Sequence, residues 1–238
     1  MPAIQRERLD DGIEVVRLDR PEVRNALDTA SIEALHAALG ELAADARLRV
    51  LVLSTTSTRA FCAGADVGEV LDAAGGVARM EAFARLYTAL DAFPAPVVCV
   101  CVGNCVGAGA ELVAGSDLRV GGDNLKLAWA GSRLGVPVGP ARLPPLIGLS
   151  RAKELVFTGR VVGVEEALAL GLLHRTAPAE GAEAAAVALA REVAAHPPDG
   201  LRRLKAMFRE YESTASRVER ENAQLVAFQR EGAGLPQG

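Results

Sequence analysis

The residues best placed to do chemistry lie within 97–117, VVCVCVGNCVGAGAELVAGSD. An apolar run is followed by Gly103, Gly107 and Gly109, and Ala110-Glu111-Leu112-Val113-Ala114 then reads as the opening of a helix. A chain that turns through glycines into a helix leaves its first amide N–H groups without intrahelical partners. There they can meet an anion, or an oxygen that becomes one during a reaction. Glu111 falls about one helical turn along. Oxyanion donors beside one carboxylate are the raw material for proton transfer next to a carbonyl. A purely structural reading stands beside this one, because glycine turns are common and the helix dipole alone favours Glu in a first turn. A dinucleotide-binding loop fails on spacing, since Leu112 stands where the third glycine should follow Gly107-x-Gly109.

A second small-residue segment, Phe61-Cys62-Ala63-Gly64-Ala65-Asp66, follows another apolar run directly. Small side chains there permit a ligand to approach the backbone, although for this segment taken alone an ordinary turn is the favoured reading. The cysteines are Cys62, Cys99, Cys101 and Cys105. They form no CxxC pair and have no neighbouring histidine cluster, so they read as reduced core residues and not as a zinc site. His36, His174 and His196 have no partner in sequence and read as solvated or helix-terminal groups.

These segments must be positioned by alternating strands and helices. IEVVRL (13–18) and RVLVLST (49–55) read as strands, the second buried. Between them a turn with Pro21 and Asn25 leads to a helix that starts at Asp28 or Ser31 and runs to about Ala44, with Ile32, Leu35, Leu39 and Leu42 on one stripe. A second helix is expected over Val77–Phe93, ended by Pro94 and Pro96, and Val97–Val102 is the next buried strand. Leu118–Val120 and Leu125–Trp129 read as two short strands around the turn GGDN. A Gly/Pro-rich loop follows, then helices over Ser150–Phe157, Val164–Gly171, Ala182–Ala195 and about Gly200–Glu231, the last interrupted near Ser213-Thr214. Strand–helix–strand order predicts an α/β chain.

At 238 residues the chain makes one large domain or two small ones. Half of it is apolar, enough for a real core, yet no apolar run is long enough to span a bilayer. The polar, charged N-terminus is unlike an export signal, which points to a cytoplasmic protein. The net charge of −4, with scattered cations, argues against nucleic acid as a partner.

Taken together, RPEVRNALD (20–28), AFCAGADV (60–67), PVVCVCVGNCVGAGAELVAGSDLRV (96–120), LGVPVGPARLPPLIGLSRAKEL (134–155) and TGRVVGVEEALALGLLHR (158–175) resemble the crotonase, or enoyl-CoA hydratase/isomerase, superfamily in order and spacing. The resemblance spans about residues 4–232. It implies an α/β fold, a crotonase-like spiral of ββα units over residues 1–176, followed at 177–238 by a helical region that mediates trimerisation. It implies a homotrimer or dimer of trimers, an acyl-CoA thioester as substrate, coenzyme A entering only as part of that substrate, and no metal.

The resemblance places oxyanion-hole N–H groups at Ala63 and Ala108 and the proton-transfer carboxylate at Glu111. It sets Arg24, Ala26, Ala65, Asp66 and Gly107 around the substrate, with Arg24 facing the CoA phosphates and Asp66 also suited to ordering its loop. The second carboxylate of standard hydratases is absent: Gly131 holds its position, and 124–135 contains no Asp or Glu. Hydration of a 2-enoyl-CoA through Glu111 is the leading expectation. Decarboxylation of a malonyl-type thioester, or acyl-CoA binding with weak activity, are the alternatives.

Overall fold

The computed structural model describes residues 3–232 and 234–235. The elements run β1 (Ile4–Arg8), β2 (Ile13–Leu18), α1 (Thr29–Ala44), β3 (Val50–Thr55), β4 (Ala60–Cys62), α2 (Ala73–Asp91), β5 (Val97–Cys101), β6 (Asn104–Val106), α3 (Ala108–Gly115), β7 (Leu118–Gly122), β8 (Lys126–Ala128), α4 (Leu143–Ile147), α5 (Leu149–Thr158), α6 (Val164–Ala169), β9 (Arg175–Ala177), α7 (Ala182–Ala194), α8 (Pro198–Tyr211) and α9 (Thr214–Glu231). From β3 onward the strands alternate between two sheets. The larger has the order β1-β2-β3-β5-β7-β9 and is parallel except for the β1–β2 pair, and the smaller is β4-β6-β8. Each turn of the spiral lays one strand in each sheet before a helix returns, so β3–β4–α2 and β5–β6–α3 are successive ββα units.

The apolar runs follow from this layering. Alternate side chains of one strand enter different cores: Val98 and Val100 face a cluster with Ile13, Val50, Val52 and the alanine-rich face of α7, while Val97, Cys99 and Cys101 face α1, α2 and α3. A strand covered on both faces must be apolar at every position. Because β9 pairs with β7 and α7 covers the large sheet, residues beyond the expected boundary at 176 still belong to the layered core, and α9 packs on α2 with Leu225 in the main core.

Several local expectations are corrected. Leu118–Val120 and the strand around Leu127 are not a hairpin: β7 and β8 belong to different sheets, the two glycines of GGDN end β7, and residues 123–125 make the crossing. The strands β4, β6 and β9 have three residues each, too few for a visible alternation, and β1 (IQRER) buries no side chain fully. Helix α2 starts four residues early, at Ala73 and not Val77, because the Asp72 carboxylate accepts from Gly75 N (2.7 Å) and caps a turn that Gly75 and Gly76 would otherwise weaken. Asp28 caps α1, accepting from Ser31 N at 2.8 Å. The last helical stretch breaks at Ser213, whose φ is 51°. Among the described residues no helix is long and apolar enough to cross a membrane.

Candidate functional site

The two small-residue segments meet, as their sequence suggests. A Cβ added at Gly64 would lie 3.2 Å from Val106 O and 4.0 Å from Ala108 N, and one at Gly107 would lie 3.9 Å from Gly64 Cα. Gly107, with φ 55°, turns β6 into α3, and its N–H donates to Ala128 O at 3.0 Å. Gly109 lies so close under β4 that a Cβ would fall 2.2 Å from Cys62 O. The absence of these side chains lets the 63–65 loop lie against the start of α3.

The hydrogen bonding of the loop overturns one expected role. The Ala63 N–H donates to Arg24 O at 3.1 Å, so it is spent within the backbone and cannot serve as an oxyanion donor. Two residues on, Leu27 N donates to Gly64 O (2.8 Å) and Asp66 N to Leu27 O (2.9 Å). The Ala65 N–H lies between these bonds and has no partner among the described residues. Ala108 opens α3, where the first amides have no intrahelical acceptor. Ala65 and Ala108, both lining one cavity, therefore present the free amides.

That cavity measures about 220 Å³, and its lining includes Ala63, Gly64, Ala65, Gly107 and Ala108 together with Met80, Phe83, Tyr87, Val136, Val138, Leu225 and Leu235. Its walls contain no ionisable side chain except the Tyr87 phenol. The position expected to lack the second carboxylate is closed to any side chain: a Cβ at Gly131 would meet Val136 O at 2.7 Å and Val138 Cγ2 at 2.9 Å.

Glu111 stands in the first turn of α3 but does not border the cavity, and it is fully buried. Its Oε2 accepts from Arg142 Nη1 at 2.7 Å, and the same nitrogen donates to Glu221 Oε1 at 2.8 Å. Glu221 Oε2 accepts from Ala141 N at 2.7 Å. The Arg142 guanidinium lies 4.7 Å from the centre of the Tyr87 ring, a cation–π contact. Among the described residues Glu111 Oε1 and Trp129 Nε1 have no partner. Burial pushes Glu111 above the usual carboxylate range, and Arg142 only partly offsets this. Burial and then the neighbouring Glu111 push Glu221 up to about 8. Sequence spacing offers no hint of Arg142 or Glu221, which lie 31 positions after Glu111 and 79 after Arg142.

Arg24, Ala26 and Asp66 are not among the residues that line the cavity. Asp66 orders its loop: Oδ1 accepts from Gly68 N (3.0 Å), and Oδ2 pairs with Arg20 (3.1 Å), which also pairs with Asp28. Ala26 donates its N–H to Val23 O (3.1 Å), and its carbonyl accepts from Arg20 Nη1 (2.6 Å). Arg24 is exposed, at φ 55°. Asn25, at φ 54°, pins the turn by accepting from Arg20 N (2.7 Å) and donating to Thr55 Oγ1 (2.7 Å) and Ala60 O (3.0 Å). His174 is held neutral, since burial and then Arg119 push it down. Among the described residues no group of three or more His, Cys, Asp or Glu is placed to hold a metal.

The chain is similar to known proteins along most of its length. The chain is 36% identical over 203 residues to enoyl-CoA hydratase domain-containing protein 2, mitochondrial, of Bos taurus, covering 81% of this chain and 68% of that one. Its Homo sapiens counterpart is likewise 36% identical over 203 residues, covering 81% and 69%. The crystal structure of an enoyl-CoA hydratase from Bacillus anthracis superposes with a TM-score of 0.82 over 99% of both chains at 24% identity, a likeness that shows the fold. The family described as enoyl-CoA hydratase/isomerase matches residues 8–231, and the chain belongs to that family.

Proposed function

We propose that the protein is an acyl-CoA enzyme that forms a thioester enolate, with the amides of Ala65 and Ala108 holding the enolate oxygen and Glu111, which stands behind the cavity wall in the first turn of α3, reaching through it as the single proton-transfer carboxylate. The observation that carries this reading is the pair of amides, unpartnered among the described residues, in the lining of an apolar cavity. Two such donors aimed at one oxygen supply a few kcal/mol of transition-state stabilisation. The cavity takes an acyl group and not the CoA moiety, because about 220 Å³ is small even for a drug-sized ligand.

Hydration of a short 2-enoyl-CoA is the leading reading. Ionised Glu111 takes a proton from water as hydroxide adds to Cβ, and the same proton then goes to Cα as the enolate collapses. A specific observation favours a second reading, decarboxylation of a malonyl-type thioester. A water in the cavity would find few polar partners, and Gly131 leaves no room for a second carboxylate. In decarboxylation the C–C bond to the carboxylate breaks, carbon dioxide leaves, the electron pair forms the enolate, and protonated Glu111 delivers a proton to Cα.

The test pairs loss of the conjugated thioester absorbance of a short enoyl-CoA with carbon dioxide release from malonyl- or methylmalonyl-CoA. Glu111→Gln is expected to lose turnover in whichever assay is active while acyl-CoA binding persists. Wild-type rates in that variant sink the role given to Glu111. An acyl-CoA complex with the thioester oxygen far from Ala65 N and Ala108 N sinks the oxyanion assignment. Association of copies is part of the same reading. It is supported by the apolar face that α8 leaves exposed, with Leu204, Phe208 and Tyr211, and sedimentation of a monomer at micromolar concentration would refute it.

A further inference from the structure

The network behind the cavity holds a residue that the proposed chemistry does not use. Glu221 comes from α9, far in sequence from the spiral, yet its carboxyl binds the same Arg142 nitrogen as Glu111. All three side chains are nearly excluded from solvent, at 0% exposure for Glu111, 6% for Arg142 and 7% for Glu221. One guanidinium balances one carboxylate. A second buried carboxylate beside it carries the cost of an unpaired buried charge, unless a proton neutralises it.

The other groups around this cluster do not relieve the imbalance. From α2, the Tyr87 phenol is held neutral by burial, and from β4 the Cys62 thiol is pushed up to about 12 by burial. Trp129 offers only a neutral N–H. On its far side Arg142 borders a cleft beneath α8 whose charges are otherwise engaged: Arg209 with Asp91 (2.7 Å), Lys205 with Asp117 (2.7 Å), and Glu212 with Arg217 (3.3 Å). In the same cleft Arg119 is held by the carbonyls of Leu172 (2.6 Å) and Ser116 (2.6 Å), and His174 is neutral. No further cation reaches the two carboxyls among the described residues.

We propose that Glu221 is a positioning residue for Glu111: across Arg142 the two carboxyls share a single proton, so the C-terminal helix sets the charge state in which Glu111 meets the substrate. This rests on the reading of Glu111 as the proton-transfer group. With one proton in the pair, Glu111 ionises only while Glu221 keeps the proton. Deleting the Glu221 charge removes the negative neighbour and makes Glu111 a stronger acid. Helix α9 has other anchors, since Asn222 Nδ2 donates to Ala84 O (3.0 Å) and Thr88 Oγ1 (3.1 Å), and Leu225 is buried in the main core. Glu221→Gln should therefore fold.

Two measurements test this, and the first does not depend on turnover. Infrared spectra of the wild-type protein near neutral pH should show the carbonyl stretch of a protonated, buried carboxyl, and the band should be absent from both Glu221→Gln and Glu111→Gln, each of which leaves one carboxylate for Arg142. A wild-type spectrum without the band, or a band that survives in either variant, overturns the proposal. In the second, the limb of the kcat/KM pH profile that Glu111 controls should move to lower pH by about one unit in Glu221→Gln, a tenfold change in its ionisation ratio. An unmoved limb with altered stability would reduce Glu221 to a structural strut and overturn the proposal. Failure of the Glu111 reading is recognised separately, by turnover that persists in Glu111→Gln.

Discussion

Replacing Arg142 by Met tests the electrostatics of the site most directly. The substitution keeps an unbranched side chain of similar reach and removes only the guanidinium that Glu111 and Glu221 share at 2.7 and 2.8 Å. Removing one partner of a buried ion pair costs about 3–5 kcal/mol, and loss of the Tyr87 cation–π contact adds to it. For a chain of this size, at about 2–4 °C per kcal/mol, the thermal midpoint at pH 7.5 should fall by roughly 6–20 °C. The pH dependence separates electrostatics from packing. Glu221 titrates at about 8 in the folded protein against 4.5 ordinarily, so between these values the folded state holds a proton that the unfolded chain has lost. Its contribution is fully present below 4.5 and is lost as pH rises through 8, with a slope of at most about 1.4 kcal/mol per pH unit. Without Arg142 both carboxyls rise further, so the stability of the variant falls more steeply with pH than that of the wild type. Melting curves at pH 5 and pH 7.5, at fixed protein concentration, should therefore show a much smaller deficit at pH 5. An equal deficit at both values would mean that Arg142 acts through its volume, and a deficit near zero at pH 7.5 would refute the buried triad.

Two further substitutions probe the geometry of the cavity. Gly109→Ala puts a Cβ 2.2 Å from Cys62 O, so overpacking of about 1–3 kcal/mol should separate α3 from β4 and cut turnover; an unchanged melting temperature and rate would contradict the close approach. Leu225→Ala removes part of the cavity wall at a cost of about 2–5 kcal/mol and should shift kcat/KM towards longer acyl chains, which a chain-length series measures and an unchanged preference refutes.

The fold was legible wherever burial wrote itself into the sequence. Val97–Val102 is apolar at every position because one face packs on α7 and the other on the helical core, and the stripe Ile32, Leu35, Leu39, Leu42 of α1 marks a single buried face. Of the small sheet only the strand around Leu127 was legible. Ala60–Cys62, Asn104–Val106 and Lys126–Ala128 have three residues each, and they are held by pairing across the spiral instead of by a pattern of their own. The GGDN turn misled for a related reason: turn chemistry reports a change of direction and not which sheet the chain enters next.

The site shows the same division between local and distant information. Small residues announced both amide-bearing turns, because close approach of backbone to backbone excludes Cβ atoms. Which amide is free was not announced. Ala63 and Ala65 are chemically identical, and the choice falls to a neighbouring turn: Arg24, in the left-handed region, turns its carbonyl onto Ala63 N, and Leu27 then bridges Gly64 and Asp66 around the Ala65 N–H. Asn25 is the sequence trace of that turn, since its side chain replaces the backbone partners that the turn cannot supply. Glu111 was visible from its place in a first helical turn, but its charge state was not, because that depends on Arg142 and on a glutamate two helices beyond the sheet core. A carboxylate placed by local geometry and tuned by a distant helix makes the chemistry sensitive to how α9 docks. Residues of α9 with no contact to the substrate therefore belong to the reaction as much as the glycine turn does.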